Sequence, residues 1–269
     1  MAYYTWSQGF RPGGFNRAQA EVKGPLAGIW VPPIAYAPDT LVNNEIGWKT
    51  EWFDHHLQFN GAVYQENWDN VQLSIFDPGV TGNLVFNTNG PNYRVRGAET
   101  QLAWRVIGGL TLTGSAAWNS SENVKNLNLV GSNGQPITNV VNPFGELGQP
   151  LAQSPPFEGN LRARYEFRLG DYDAFLQIGA QHQAHSYATT NPQQKTFQGV
   201  STNFLDPAFS TYDASAGIAS GPWSTQLYAE NFTDTRAILY ASYAEFVKMD
   251  TVNRPRTIGV RVSYRFQGK

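Results

Sequence analysis

The sequence predicts an all-β chain that crosses a membrane as an antiparallel barrel, with long loops at one end and short turns at the other. Three observations lead there. Apolar and polar residues alternate in segment after segment, no segment keeps apolar residues at a helical period through a dozen positions, and short connections take turns with long ones.

Composition bounds the reading first. The 269 residues are 41% hydrophobic, 14% aromatic and only 15% charged, so the chain is polar without being strongly charged. A net charge of -2 gives no reason to expect nucleic acid or an acidic partner. Cysteine is absent, which excludes a disulfide framework and any thiolate metal site. The longest apolar run, "LAGIWVPPIAYAP" from Leu26 to Pro38, is interrupted by prolines, so a transmembrane helix is excluded. Met1 leads straight into the strand-like "AYYTWSQGF", and no export signal is expected in the chain as read.

Ten strands are expected, in order: Ala2 to Gly9, Asn44 to Phe53, His56 to Phe76, Tyr93 to Val106, Leu110 to Ser121, Phe157 to Leu169, Tyr172 to His185, Ser210 to Ser220, Trp223 to Phe232, and Arg256 to Phe266. The third is longer than a membrane crossing needs and is expected to project beyond it. The tenth shows the pattern most plainly. Ile258, Val260, Val262, Tyr264 and Phe266 share one face, and Thr257, Gly259, Arg261, Ser263 and Arg265 share the other, because successive strand side chains point to opposite sides.

The connections carry as much as the strands. "DHH" before strand three, Ile107 to Gly109, Gly170 with Asp171, and Gly221 with Pro222 are tight turns, rich in Gly and Asp where positive φ is needed. Phe10 to Asn43, Asp77 to Asn92, Glu122 to Pro156, Tyr187 to Phe209 and Thr233 to Pro255 are long and full of Asn, Gln, Pro and Gly. A Greek-key sandwich has no reason to put every long connection at one end. Outer-membrane barrels do so, with short periplasmic turns and long extracellular loops.

In strands two, five, six and nine charge keeps off the apolar face. Leu161, Ala163, Tyr165 and Phe167 oppose Arg162, Arg164 and Glu166, while Ile46, Trp48 and Trp52 oppose Glu45, Lys49 and Glu51. An Arg facing lipid at mid-bilayer would cost about 2 to 4 kcal/mol, so a membrane wall requires this segregation. Trp52, Trp104, Phe167, Trp223 and Phe266 all fall on the apolar phase at strand ends beside short turns or the terminus, where a periplasmic aromatic girdle belongs. Leu161, Leu227 and Val260, mid-strand on that phase, are expected to face lipid.

Catalytic and metal chemistry find little support. A surface hydrolase would need a His with Asp or Ser near the outer rim, and His182 and His185 lie near the outer end of strand seven, with Asp206 and Asp213 following. Three residues apart on a strand, they point to opposite faces. His55 and His56 occupy a tight turn on the other side, and Glu66 to Asn70 lacks the order of a calcium loop, so no metal and no cofactor are expected.

"YYTWSQGFRPGGFN" from Tyr3 to Asn16, "NNEIGWKTEWFDHHLQFNGAVYQENWDNVQ" from Asn43 to Gln72, "RVRGAETQLAW" from Arg94 to Trp104, "LYAENFTD" from Leu227 to Asp234 and "RPRTIGVRVSYRF" at the end resemble, in that order, strands of the TonB-dependent outer-membrane receptors. The resemblance spans essentially residues 1–269 and is to the C-terminal part of that family's β-barrel. Those barrels have 22 strands with a plugged lumen, so about ten C-terminal strands are implied here, with the plug and the N-terminal strands absent. It further implies a Gram-negative outer-membrane location and uptake of a scarce nutrient such as a ferric siderophore or other iron chelate. In a full-length receptor the implied partners are TonB, the barrel-assembly machinery and outer-membrane lipid. Family barrels typically end on a terminal aromatic, which makes Tyr264 and Phe266 the expected assembly signal, although Gln267, Gly268 and Lys269 follow here. The alternative is an autonomous ten-stranded barrel acting as a pore or surface hydrolase.

Substrate contacts are expected from Arg11, Trp30, Tyr187 and Arg236, because the long outer loops combine cationic and aromatic groups there; solvated loop residues are the alternative for each.

Overall fold

A computed structural model describes the chain except residues 18–21, 23, 78, 83, 126, 191–200, 202, 245–246 and 267–269, with only the backbone described at 243–244. Ten strands form one antiparallel sheet: β1 (Ala2–Arg11), β2 (Asp39–Trp52), β3 (Leu57–Asp69), β4 (Tyr93–Ile107), β5 (Leu110–Asn123), β6 (Phe157–Leu169), β7 (Tyr172–Gln183), β8 (Phe209–Ser220), β9 (Trp223–Glu230) and β10 (Thr257–Tyr264). Each strand pairs with its neighbour in sequence, from β1 at one edge to β10 at the other. The sheet is open. β1 and β10 each present an unpaired edge, and no helix occurs among the described residues.

The expected strands are all present, and their boundaries move for local reasons. β2 begins at Asp39, five residues earlier than expected, because Asp39 to Asn43 pair with Ser7 to Arg11 of β1. β3 stops at Asp69 instead of running on to Phe76. Asn70 takes a left-handed conformation, φ 53°, which breaks the ladder, and Gln72–Phe76 pairs instead with Val85–Asn89. The long connections are therefore not all coil. Gly14–Phe15 pairs with Ala35–Tyr36, Ser186–Tyr187 with Leu205–Asp206, and Ile238–Ala244 with Val247–Val252.

Turn chemistry explains the tight ends. Gly109, Gly170 and Gly221 have φ of 84°, 61° and 55°, where a residue without Cβ meets no steric penalty. The turn from β2 to β3 does the same with Phe53, Asp54 and His55, three successive non-glycine residues at φ 55°, 51° and 64°. One further glycine is fixed by packing. A Cβ on Gly97 would lie 2.4 Å from the Tyr64 ring and 2.8 Å from the Trp118 carbonyl oxygen, so the "RVRGAE" segment of β4 needs glycine for Tyr64 to lie across it.

Register puts the apolar residues on one face from edge to edge. Leu57, Trp104, Leu112, Ala163 and Ile178 form one cross-strand row by direct pairing, and Leu176, Ala216, Leu227 and Val260 form another. Leu161, Leu227 and Val260 are 52%, 56% and 64% exposed, so no protein core covers them. The opposite face carries Lys49, Glu99, Arg105, Arg162, Arg164 and Arg261. At the short-turn end Trp223 lies edge-on to Tyr264 at 4.8 Å, and Tyr264 edge-on to Phe266 at 4.9 Å.

The buried core sits in the long connections, not between layers of sheet. Val22, Leu26 and Trp30 from the first, Ile75, Val80 and Phe86 from the second, and Leu129 and Phe144 from the third make one cluster. Trp30 and Phe86 have ring centroids 5.0 Å apart. Each large side chain removed from water here contributes about 1.5 to 3 kcal/mol, enough to hold segments far apart in sequence in one body.

Candidate functional site: the outer loop cluster

Two groups of loops stand at the outer end of the sheet. The first is anchored by Asp39, 1% exposed, at the start of β2. Its carboxylate accepts hydrogen bonds from the Arg11 Nε at 2.9 Å, the Trp68 Nε1 at 3.1 Å and the Gln72 amide at 3.1 Å, and the Arg11 Nη2 closes an ion pair on the same oxygen. The Arg11 guanidinium also lies over the Trp68 ring, 5.1 Å from its centroid. A buried carboxylate with this many donors is fully compensated, and removing Arg11, its one charged partner there, would leave that charge without a counter-ion. Gln72 extends the node, its Nε2 donating to the Pro12 and Ala37 carbonyls at 2.9 and 3.0 Å. Asn16 then ties the first connection to the second by donating to the Asn87 carbonyl and accepting from the Asn87 amide.

Asp77 lies beneath this roof at 1% exposure. Burial pushes its carboxyl up to about 6, against the opposing pull of the Gly79 and Val80 amides. The Thr81 hydroxyl closes the same turn by donating to the Asp77 carbonyl at 3.0 Å.

The second group joins the fourth and fifth connections. Asp206, 2% exposed, accepts the Ala241 amide at 3.1 Å, and burial raises its carboxyl more than that hydrogen bond lowers it. Asn231 ends β9. Its side chain donates to the carbonyls of Thr235 and Arg254 at 3.0 Å and accepts the Thr235 amide at 3.0 Å, while its own amide donates to Asp213 at 2.7 Å. Asn231 and Asp234 both have positive φ, 47° and 55°, which is the physical content of the "ENFTD" segment. The Arg256 amide and the Arg236 guanidinium hold the Asp234 carboxyl below its ordinary range. The Gln153 amide donates to the Tyr187 carbonyl at 2.8 Å and links the two groups.

The four residues expected to bind substrate are dispersed. Arg11 is committed to Asp39, and Trp30, 4% exposed, is packed inside the loop core. Tyr187 is 39% exposed and stands edge-on to His185 at 6.0 Å. Arg236 pairs with Asp234 at 3.1 Å with its side chain 62% exposed. Nothing in the described contacts joins any two of the four. Asp39 and Asp77 are the buried carboxylates that sequence reasoning missed, and Asp206, weighed there for a hydrolase, is buried against the Ala241 amide; a Pro adjoins each in sequence, which signals a turn and not burial.

Below the loops, the polar face forms a hollow of about 620 Å³. Gln58, Asn60, Gln101, Asn160, Gln181 and Gln183 line it together with Lys49, Glu99 and Glu158. This is a hydrogen-bonding wall and offers no nucleophile set. His182 sits at the outer end of β7 on the apolar face, with Nδ1 2.9 Å from the Ser210 Oγ and its ring against Phe157 at 5.8 Å, while His185 lies beyond the end of β7 with its ring against Tyr187. Among the described residues no group of three His, Asp or Glu is placed to hold a metal ion.

Residues 1–232 match the family model described as TonB dependent receptor-like, beta-barrel. Among solved structures, the chain is similar to the ferric yersiniabactin uptake receptor FyuA from Yersinia pestis, with TM-score 0.68 and 16% identity over 99% of this chain and 35% of that one. It is similar to the siderophore receptor PiuA from Acinetobacter baumannii, with TM-score 0.68 and 20% identity over 98% of this chain and 33% of that one. It is also similar to the copper transporter OprC, with TM-score 0.65 and 16% identity over 98% of this chain and 37% of that one. The chain thus spans about a third of the length of these proteins.

Proposed function

The chain belongs to the TonB-dependent receptor β-barrel family, whose members are outer-membrane receptors and not enzymes, and from that premise we propose that it is the C-terminal wall of a receptor for TonB-dependent uptake of a scarce nutrient such as a ferric siderophore. The observation that carries this is the two-faced sheet with two open edges. An edge left in hydrocarbon leaves backbone groups without partners at several kcal/mol each, so the sheet functions only when further strands continue it. The siderophore receptors among its structural relatives favour an iron chelate as cargo.

Ligand contacts in this reading fall on two of the four expected residues. Tyr187 and Arg236 are exposed on the second loop group and present an aromatic face and a cation, while Arg11 and Trp30 hold the first group in place. Tyr264 and Phe266, the latter 86% exposed, present the terminal aromatic pair that the barrel-assembly machinery would engage.

Uptake of labelled ferric chelates by iron-starved cells carrying the full-length receptor tests the reading. Saturable uptake that disappears without TonB is expected; uptake indifferent to loss of the receptor or of TonB overturns it. Alanine at Tyr187 or Arg236 is expected to weaken ligand binding with barrel abundance unchanged, and at Arg11 or Trp30 to loosen the loops. Unchanged affinity in both the Tyr187 and the Arg236 variant rejects the assignment.

A further inference from the structure

The apolar face carries charge at one place. Across the ten strands its charged side chains are Asp69, Arg94, Arg96 and Glu122, all at the outer ends of β3, β4 and β5. Register gives their level. Ile46, Val63, Ala98, Trp118 and Phe157 pair directly into one row, in which Trp118 and Phe157 have ring centroids 5.0 Å apart. Arg96 lies one row beyond it, opposite Gln65 and Ser120, and Arg94 one row further, opposite Asn67 and Glu122. Aromatic side chains favour the boundary where hydrocarbon meets headgroups, so the two cations stand at headgroup height.

Their own contacts leave them under-neutralised. Both guanidiniums share one carboxylate, with Nη1 of Arg94 3.5 Å and Nη1 of Arg96 3.9 Å from the Glu122 Oε1, distances at the limit of an ion pair. The Arg96 Nε donates to the neutral Gln65 Oε1 at 2.9 Å, and the Arg94 Nε has no partner among the described residues. Asp69 is further out than either arginine and accepts a hydrogen bond from the Asn92 Nδ2. Arg96 is therefore the charge nearest the hydrocarbon, with Arg94 and Glu122 together one row above it and Asp69 a further row out. An arginine tolerates that position because a guanidinium donates in a planar fork that suits phosphate oxygens.

We propose that Arg94 and Arg96 form a seat for the phosphate headgroup of an anionic glycolipid of the outer leaflet, with the Trp118 and Phe157 rings against its acyl chains. Glu122 competes with the phosphate for the same donors. The proposal rests on the membrane placement of the wall and not on transport, so a receptor that imports nothing yet binds such a lipid refutes the uptake reading alone.

The full-length receptor in proteoliposomes tests it, with a phosphorylated outer-leaflet glycolipid, its dephosphorylated form, or phosphatidylcholine as the lipid. The parent is expected to melt several degrees higher with the phosphorylated than with the dephosphorylated lipid. The double variant R94Q/R96Q should lose most of that difference, and E122Q should widen it. Native mass spectrometry of the parent, which needs no variant to fold, should show about fivefold greater retention of the phosphorylated lipid, equivalent to about 1 kcal/mol. Equal retention of the two lipids, a difference that survives in R94Q/R96Q, or the same shift from inorganic phosphate in phosphatidylcholine overturns the proposal.

Discussion

Asp77 shows what a single buried carboxyl does to the loops. Its acid constant in the folded chain lies at about 6, above the ordinary 3.8. Below about pH 4 the group is neutral whether the loop is closed or open, and closure costs nothing extra. Between about pH 4 and 6 the open form ionises while the closed one stays neutral, so the loop cluster loses stability, by about 3 kcal/mol in total, and the loss levels off above 6. Asp77→Asn removes that dependence. Hydrogen exchange at the Val80 and Thr81 amides, corrected for intrinsic rates, should show protection falling between pH 4 and 7 in the parent and level in the variant. Identical profiles would reject this. The burial of such a carboxyl cannot be foreseen from "FDPG", because that segment signals a turn and not what packs over it. Arg11 illustrates the same limit from the other side. Its type and loop-edge position suggested a ligand contact, but the partner that claims it, Asp39, comes from a different strand.

At the scale of the element, most of what shapes the strands is written locally. Alternation placed all ten of them, and the Gly-bearing short turns fixed three of the four tight hairpins. The error at Phe76 arose because Gln72–Phe76 has a strand's composition, and only its pairing with Val85–Asn89 shows that it leaves the wall. Gly97 is a cross-strand requirement with a local signature. Gly97→Ala places a methyl group within 2.4 Å of the Tyr64 ring, which must turn away, and against the Trp118 carbonyl, which cannot. A loss of about 1 to 3 kcal/mol is expected, from urea unfolding of the detergent-solubilised receptor. A variant as stable as the parent would mean that β4 and β5 can separate at no cost.

The whole molecule is a wall, and its tests are those of a wall. Arg at Leu161, Leu227 or Val260 is expected to impair insertion by about 2 to 4 kcal/mol, read as the fraction folded in bilayers against denaturant. Assembly of all three as efficient as the parent's would remove the lipid-facing assignment. The second expectation concerns the edges. With β1 and β10 unpaired, residues 1–269 alone should aggregate or form a non-conducting sheet, and liposomes containing them should take up no solute specifically. Saturable import by these residues alone would show that the edges close on one another and that the longer receptor is not needed.

The sequence by itself determined the fold class, the ten strands, which side chains share the apolar face and which end of each strand is short-turned. All of these follow from period-two alternation and turn chemistry, which act over a few residues. Tertiary structure decided the rest: that Asp39 consumes Arg11, that Trp30 is core, that Asp77 and Asp206 are buried, and that Arg94 and Arg96 share Glu122. Those outcomes depend on contacts between segments 26 to 100 or so residues apart, brought together by register and by the common loop core. No short-range pattern encodes such distances, because the free energy that fixes them comes from burial shared among separate connections.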